Sequence, residues 1–253
     1  MVSVTKRIKE IKQPRGGYIN PKNFLEADFN DGIILHEEEN IHSSLIGLSV
    51  DYLTRFVTKT SSAEDAFKIS VRGANRINEL SYANELLDGI IGLDDTSIVN
   101  ACKLVGYDVI VRAGINAYKP VSSTPDLSTI KNIRTMVERS KNFINSYGPI
   151  VKEGFTFEGA YTNVISTGDG DFLTRDTLWD FKVSKNKPSK DHTLQLIIYY
   201  LLGMRSFSYE TFQKIENLGI FNPRLNKSYT LEVKNISSDI IEAVSIDVIG
   251  YKR

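Results

Sequence analysis

The chain changes its hydrophobic period at Gly148-Pro149. Before that point apolar residues recur every three or four positions; after it, short runs rich in Phe, Thr, Val and Tyr are separated by Gly and Asp. The first pattern builds helices with one buried face, the second half-buried strands. A chain of 253 residues that carries the two patterns in consecutive blocks is expected to be a mixed α/β protein, a strand-rich core with a large N-terminal helical region. Its 41% hydrophobic and 25% charged residues supply a core of ordinary size, which excludes a disordered chain.

Three segments follow. Residues 1–42 are basic, then turn-rich and acidic without a sustained period, and read as an irregular arm. Residues 43–148 read as a helical region packed on the core. It contains SSLIGLSVDYLTRFV, SAEDAFKISVRGANRINELSYANELL, TSIVNACKLVGYDVIVRAGINAY with a stripe at Val99, Cys102, Val105, Val109, Ala113 and Ala117, and a last helix with Leu127, Ile130, Ile133, Val137 and Ile144 on one face. Cap-like residues precede them: Ser61-Ser62 with Glu64, Asp95-Thr96, and Ser122-Ser123 ahead of Pro125. Residues 149–253 read as the α/β core, with a three-strand meander, the buried helix HTLQLIIYYLLGMRSF, two strands around Asn222-Pro223 and a closing helix.

Charge and cysteine usage exclude several classes. Lys+Arg and Asp+Glu each number 31, so binding to a polyanion has to come from a local patch. Cys102 is the only cysteine, which removes disulfide frameworks, Cys-rich zinc sites and four-cysteine clusters, and fits a reducing cytoplasm. The best apolar run, Leu194 to Met204, is shorter than the ~20 residues of a membrane span, and the N-terminal sequence lacks the apolar stretch of a signal peptide. His36, His42 and His192 have no metal-ligand spacing and are expected at the surface or in caps. Asp169 to Asp180 has the length of a calcium loop, but Leu173 and Thr174 stand where an oxygen ligand and a glycine are needed. Glu37-Glu38-Glu39 reads as a solvated face, and no GxSxG or GxxxxGK[ST] is present.

The stretch GDGDFLTRDTLWDFKVSK, Gly168 to Lys185, places carboxylates where burial favours neutral residues. A two-residue turn at Arg175-Asp176 sets Phe172 opposite Trp179 and Asp171 opposite Asp180 on one face of a hairpin. Lys182, two residues on, shares the face of Asp180, while Trp179, Phe181 and Val183 point to the other side, expected to be the core. Opposed like charges repel by up to about 1 kcal/mol, more when desolvated, so a divalent cation between them is expected. Magnesium suits the pair because it takes few carboxylates and keeps waters and phosphate oxygens. Acidic-x-Lys also occurs at Glu10-Ile11-Lys12 and Glu232-Val233-Lys234, so the context carries the argument. Only Asp180-Phe181-Lys182 ends an apolar strand and precedes a buried helix, in which Gln195 and Tyr199 share a face.

These residues resemble the motifs of the PD-(D/E)XK nuclease superfamily, and within it the RecB-like group: Gly168-Asp169-Gly170-Asp171, then Asp180-Phe181-Lys182, then Gln195 to Tyr199 in Q-x-x-x-Y spacing. The likeness covers roughly residues 153 to 231, under a third of the chain. It implies a nuclease-like core, a central mixed sheet flanked by helices, acting on nucleic acid, with DNA the expected polymer. The resemblance implies that Asp171, Asp180 and the Phe181 carbonyl ligate Mg²⁺ or Mn²⁺. It implies that Lys182 serves the attacking water and that Gln195 and Tyr199 position the site. An upstream G-x-x-x-H of the group has its counterpart in Gly47 to Asp51, with Asp51 in place of His as the candidate ligand; Glu158 is a weaker one. Arg55 and Arg175 are candidate nucleic-acid contacts, and Arg72, Arg76, Arg112, Arg134 and Arg139 candidates for a basic wall. The alternative is a catalytically silent binding or assembly module.

Overall fold

The computed structural model describes residues 2–120 and 124–252. The expected cap at Ser122-Ser123 lies outside them. The chain divides into two compact units: Met1–Asn30 with Tyr147–Arg253, and Asp31–Ser146.

In chain order, α1 (Val4–Glu10) follows the cap Ser3, whose side chain accepts the Lys6 N–H, and β1 (Leu25–Asp28) ends the first segment. The expectation of an irregular arm is therefore corrected. Val4 and Ile8, four apart, bury one face of α1, and β1 pairs antiparallel with a later strand along Leu25↔Thr230 to Asp28↔Lys227. The sequence LEAD has no alternation because three of its four residues are exposed at a sheet edge, where backbone pairing alone makes the strand.

The second unit holds α2 (Ser43–Val57), α3 (Ala63–Ala66), α4 (Lys68–Asn75), α5 (Leu80–Asp88), α6 (Asp95–Leu104), α7 (Asp108–Ala113) and all but the last residue of α8 (Leu127–Tyr147). Ile46, Val50 and Leu53 bury the i, i+4, i+7 face of α2. The second helical segment breaks into α3, α4 and α5. Asn78, at φ 61°, takes the left-handed conformation between α4 and α5 that no helix can continue. The expected stripe through Ala113 and Ala117 is also corrected: a 3₁₀ turn at Val105–Tyr107 resets the phase. Ile98, Cys102, Val105 and Ile110 are buried, whereas Ala113 and Ala117 are exposed. Asp94, one residue earlier than expected, caps α6 by accepting the Ser97 N–H. Along α8, Ile130, Ile133 and Val137 are buried and Leu127 is exposed.

The first unit continues with β2 (Lys152–Phe155), β3 (Gly170–Leu173), β4 (Thr177–Phe181), α9 (Lys190–Gly203), α10 (Tyr209–Phe212), β5 (Asn217–Asn222), β6 (Lys227–Glu232) and α11 (Ser238–Ala243), which runs into a π-helical turn at Val244–Ile249. The six strands form one mixed sheet in the order β1-β6-β5-β4-β3-β2. Only β4 and β5 run parallel, because α9 and α10 carry the chain back between them; the other neighbours are antiparallel. Leu173, Leu178, Leu218, Ile220 and Leu231 on the sheet pack with Leu194, Ile197, Ile198 and Leu201 of α9 and with Val4 and Ile8 of α1 in one core. Those sheet residues share the parity of Asp171 and Asp180 along β3 and β4, so the carboxylates stand on the face that α9 covers.

Among the described residues no helix is long and apolar enough to cross a membrane.

Candidate functional site

The hairpin that carries the acidic residues closes as the sequence suggests. Phe172 pairs with Trp179 and Leu173 with Leu178, the Thr174 N–H donates to the Thr177 carbonyl at 3.0 Å, and Arg175-Asp176 make the turn. The Trp179 indole N–H donates to Thr174 Oγ1 at 3.0 Å, which ties the buried ring to the turn. Beyond Phe172↔Trp179 the side chain of Asp171 takes the place of the ladder: its Oδ2 accepts the Phe181 N–H at 2.7 Å. That bond holds Asp171 against the end of β4, beside Asp180.

Asp180 is 1% exposed. Its Oδ1 accepts from Lys182 Nζ at 2.8 Å, and its Oδ2 is buried with no hydrogen-bond partner among the described residues. Burial pushes the carboxyl up to about 7, the Lys182 ammonium opposes that shift, and the neighbouring Asp171 adds to it by charge and by direct contact. Two acceptors therefore face each other in a desolvated place with a single ammonium alongside. Lys182 is about a quarter exposed and Asp171 half-buried, so the pair opens toward solvent from a floor formed by Asp180.

Helix α9 supplies the remaining wall. Gln195 and Tyr199, four apart, are both buried, and Gln195 Nε2 donates to Tyr199 Oη at 2.9 Å. Burial raises the Tyr199 phenol well above its ordinary value, with Asp180 and then Asp171 adding to the rise, so the ring is a neutral hydroxyl near both carboxylates. Gly168 accounts for the close approach on this side: a Cβ there would stand 2.9 Å from Val4 Cγ2 and 3.5 Å from Tyr199 Cε1. Sequence reasoning gave His192 no part in the site. The structure places it on the first turn of α9, its Nδ1 accepting the Ser189 N–H at 3.3 Å. Burial first, and the Lys182 charge after it, lower its pKa to about 4, so a neutral imidazole borders the ammonium. A polar residue at the third position of a helix was the available signal. His42 likewise caps α2, accepting from the Ser44 N–H.

The other sequence-derived candidates are placed as follows. Phe181 ends β4 opposite Phe221, and Arg175 is exposed in the hairpin turn. Glu158 is exposed, and the Thr156 hydroxyl donates to it at 2.5 Å. Asp51 lies on α2 in the helical unit, where Arg55 Nε and Nη2 donate to its two oxygens at 2.9 and 3.0 Å. The same contact engages Arg55. Arg139 is 6% exposed and clasps Asp31 at 2.7 and 2.8 Å; Arg134 pairs with Asp95 and Arg112 with Asp108. These ion pairs lie within the helical unit, while Arg72 and Arg76 are exposed.

A divalent cation can be tested against this donor set. Among the described residues no three or more His, Cys, Asp or Glu side chains gather where they could hold a metal. What is present is the pair Asp171 and Asp180 with one buried, unpartnered carboxylate oxygen. A magnesium-like ion fits such a pair, because it binds through one or two carboxylates and draws its other ligands from water and phosphate. Compared with known protein families, curated proteins and solved structures, the chain matches none.

Proposed function

We propose that the chain is a metal-dependent nuclease of the PD-(D/E)XK, RecB-like kind, hydrolysing phosphodiester bonds of nucleic acid, with DNA as the expected polymer. The observation that carries this reading is the buried Oδ2 of Asp180, which meets no donor among the described residues and lies beside a second carboxylate. Left alone, such an arrangement costs on the order of 1–3 kcal/mol for the unsatisfied group, and the like charges add to that. The order of the motif residues along hairpin, helix and parallel strand supports the same reading.

In this reading Asp171 and Asp180 hold Mg²⁺ or Mn²⁺, with the Phe181 carbonyl as a further ligand. The bound ion supplies a Lewis acid for the phosphate and a lowered pKa for a coordinated water. Lys182, fixed by Asp180 at 2.8 Å and reaching solvent, orients the attacking water and offsets charge that develops on the phosphorus. The Gln195–Tyr199 pair presents a neutral hydroxyl that orients without adding charge. A reducing compartment such as the cytoplasm suits the free, buried Cys102.

Incubation with linear, circular and single-stranded DNA and RNA in Mg²⁺ or Mn²⁺ tests the proposal. Cleavage by the native chain that falls by about 10² or more in Lys182→Ala is the expected result. Cleavage that persists unchanged in the variant defeats it. A second reading, a catalytically silent binding or assembly module, is favoured by one observation: among the described residues no third ligating side chain joins the pair. That reading expects no cleavage of any of these substrates.

A further inference from the structure

The helical unit contains a pocket of about 620 Å³ between the N-terminal half of α2 and the turn that leads into α7. That is the size of an ordinary small-ligand site. One wall is apolar, made by Leu45 and Leu48 of α2 and by Val105 and Val109. The polar side chains that line it are Asn40, His42, Ser44, Asp108, Arg112 and Lys119.

Asp108, at the back, is engaged through both oxygens: Ser70 Oγ donates to Oδ1, and Tyr52 Oη donates to Oδ2 at 2.6 Å, with Arg112 Nε at 3.4 Å. Asn40 lines the pocket but spends its amide on Thr124, Asp126 and Thr129. His42 and Ser44 hold each other, Nδ1 accepting the Ser44 N–H at 3.2 Å and standing 2.7 Å from Ser44 Oγ, and two cationic groups remain. Arg112 uses Nε and Nη2 on Asp108 and Tyr52, and its Nη1 has no partner among the described residues. Lys119, exposed at the rim, forms no ion pair among the described residues. Asp108 offsets the charge of Arg112, which leaves Lys119 as the net cation.

We propose that this pocket binds a small carboxylate with an apolar body, the carboxylate meeting Lys119 and Arg112 and the body lying against Leu48 and Val109. A neutral ligand would leave the Lys119 ammonium to solvent alone and the outer nitrogen of Arg112 unused. A compact anion would leave the apolar wall uncovered. Both halves of the pocket are matched only by a molecule that carries both features.

Titration calorimetry of the full chain tests this with four probes: octanoate and 2-naphthoate, which carry charge and body, 1-octanol, which has the body alone, and acetate, which has the charge alone. Saturable one-to-one binding of octanoate or 2-naphthoate, about tenfold or more tighter than of octanol or acetate, is expected. Lys119→Ala, a change at an exposed side chain, should weaken it about tenfold, and Leu48→Trp, which fills the pocket, should remove it. Should Leu48→Trp fail to fold, Lys119→Ala decides. Absence of binding by both carboxylates, equal binding of octanol and octanoate, or affinity indifferent to Lys119→Ala overturns the proposal.

Discussion

Lys182 Nζ stands 2.8 Å from Asp180 Oδ1, two residues back on the chain, and meets a carboxylate whose other oxygen is buried with no donor among the described residues. One ammonium therefore compensates half of one acid, while Asp171 crowds the same place from the neighbouring strand. The local chemistry of the sheet unit follows from that imbalance.

The acid–base balance of Asp180 sets a pH dependence. Its folded pKa, about 7, lies above its ordinary 3.8, so between those values the native chain holds a proton that the unfolded chain lacks. Stability contributed by this group is fully present below about 4 and is lost as pH rises to about 7. Asp180→Asn, which keeps an oxygen for Lys182, should lack that slope and unfold at higher temperature than the native chain at pH 8 without metal. Each kcal/mol gained is worth about 2–4 °C in a chain of this size. Thermal denaturation of both at pH 5 and pH 8 checks this; parallel curves for the two proteins would contradict it.

His192 runs the other way. Burial first, then the Lys182 charge, depresses its pKa to about 4 from 6.5, so the native ring is neutral where the unfolded one is charged. Its contribution is present above 6.5 and is lost as pH falls through about 4. The ring protons in an NMR titration should shift well below the range of an exposed histidine, and Lys182→Ala should move the midpoint upward. A midpoint near 6.5 in the native chain would place the ring away from both burial and the ammonium.

Asp171 has a structural duty separable from its charge. Its Oδ2 accepts the Phe181 N–H at 2.7 Å. Asp171→Ala strands that donor and is expected to cost about 1–3 kcal/mol. Asp171→Asn retains an oxygen acceptor, removes the repulsion against Asp180, and is expected to cost under about 1 kcal/mol while lowering the Asp180 pKa. Urea denaturation distinguishes the two; equal losses would mean that the hydrogen bond contributes nothing.

The centre of the sheet depends on a missing side chain. A Cβ at Gly219 on β5 would stand 2.3 Å from Trp179 Cε3 on the parallel neighbour β4. Gly219→Ala should cost about 1–3 kcal/mol through displacement of the ring. The fluorescence of Trp179, the chain's only tryptophan, reports the shift directly. An unchanged spectrum with unchanged stability would contradict this packing.

Much of this architecture was legible in the sequence because local signals were strong. SSLIGLSVDYLTRFV is α2 from end to end, and the turn at Arg175-Asp176 fixed the register of Phe172 against Trp179. Legibility failed where structure is imposed from a distance. LEAD becomes a strand only by pairing with β6, and the phase of Val99 to Ala117 is broken by a 3₁₀ turn at Gly106 and by Gly114, at φ 92°, which ends α7. The carboxylate face was expected to be separate from the core. Instead α9 buries it, because helix-on-sheet packing is decided by a segment that begins ten residues after Asp180. The pairing of Gln195 with Tyr199 was readable from their spacing, and the contact of Asp51 with Arg55, also four apart, was readable in the same way.

Whether Asp171 and Asp180 together hold a divalent cation, as proposed, is decided by calorimetry with Mn²⁺ at pH 8 on the native chain and on Asp180→Asn. Saturable binding to one site in the native chain, weakened about tenfold or more by the substitution, is the expected result. Binding of equal strength in both proteins, or no binding in either, would contradict it.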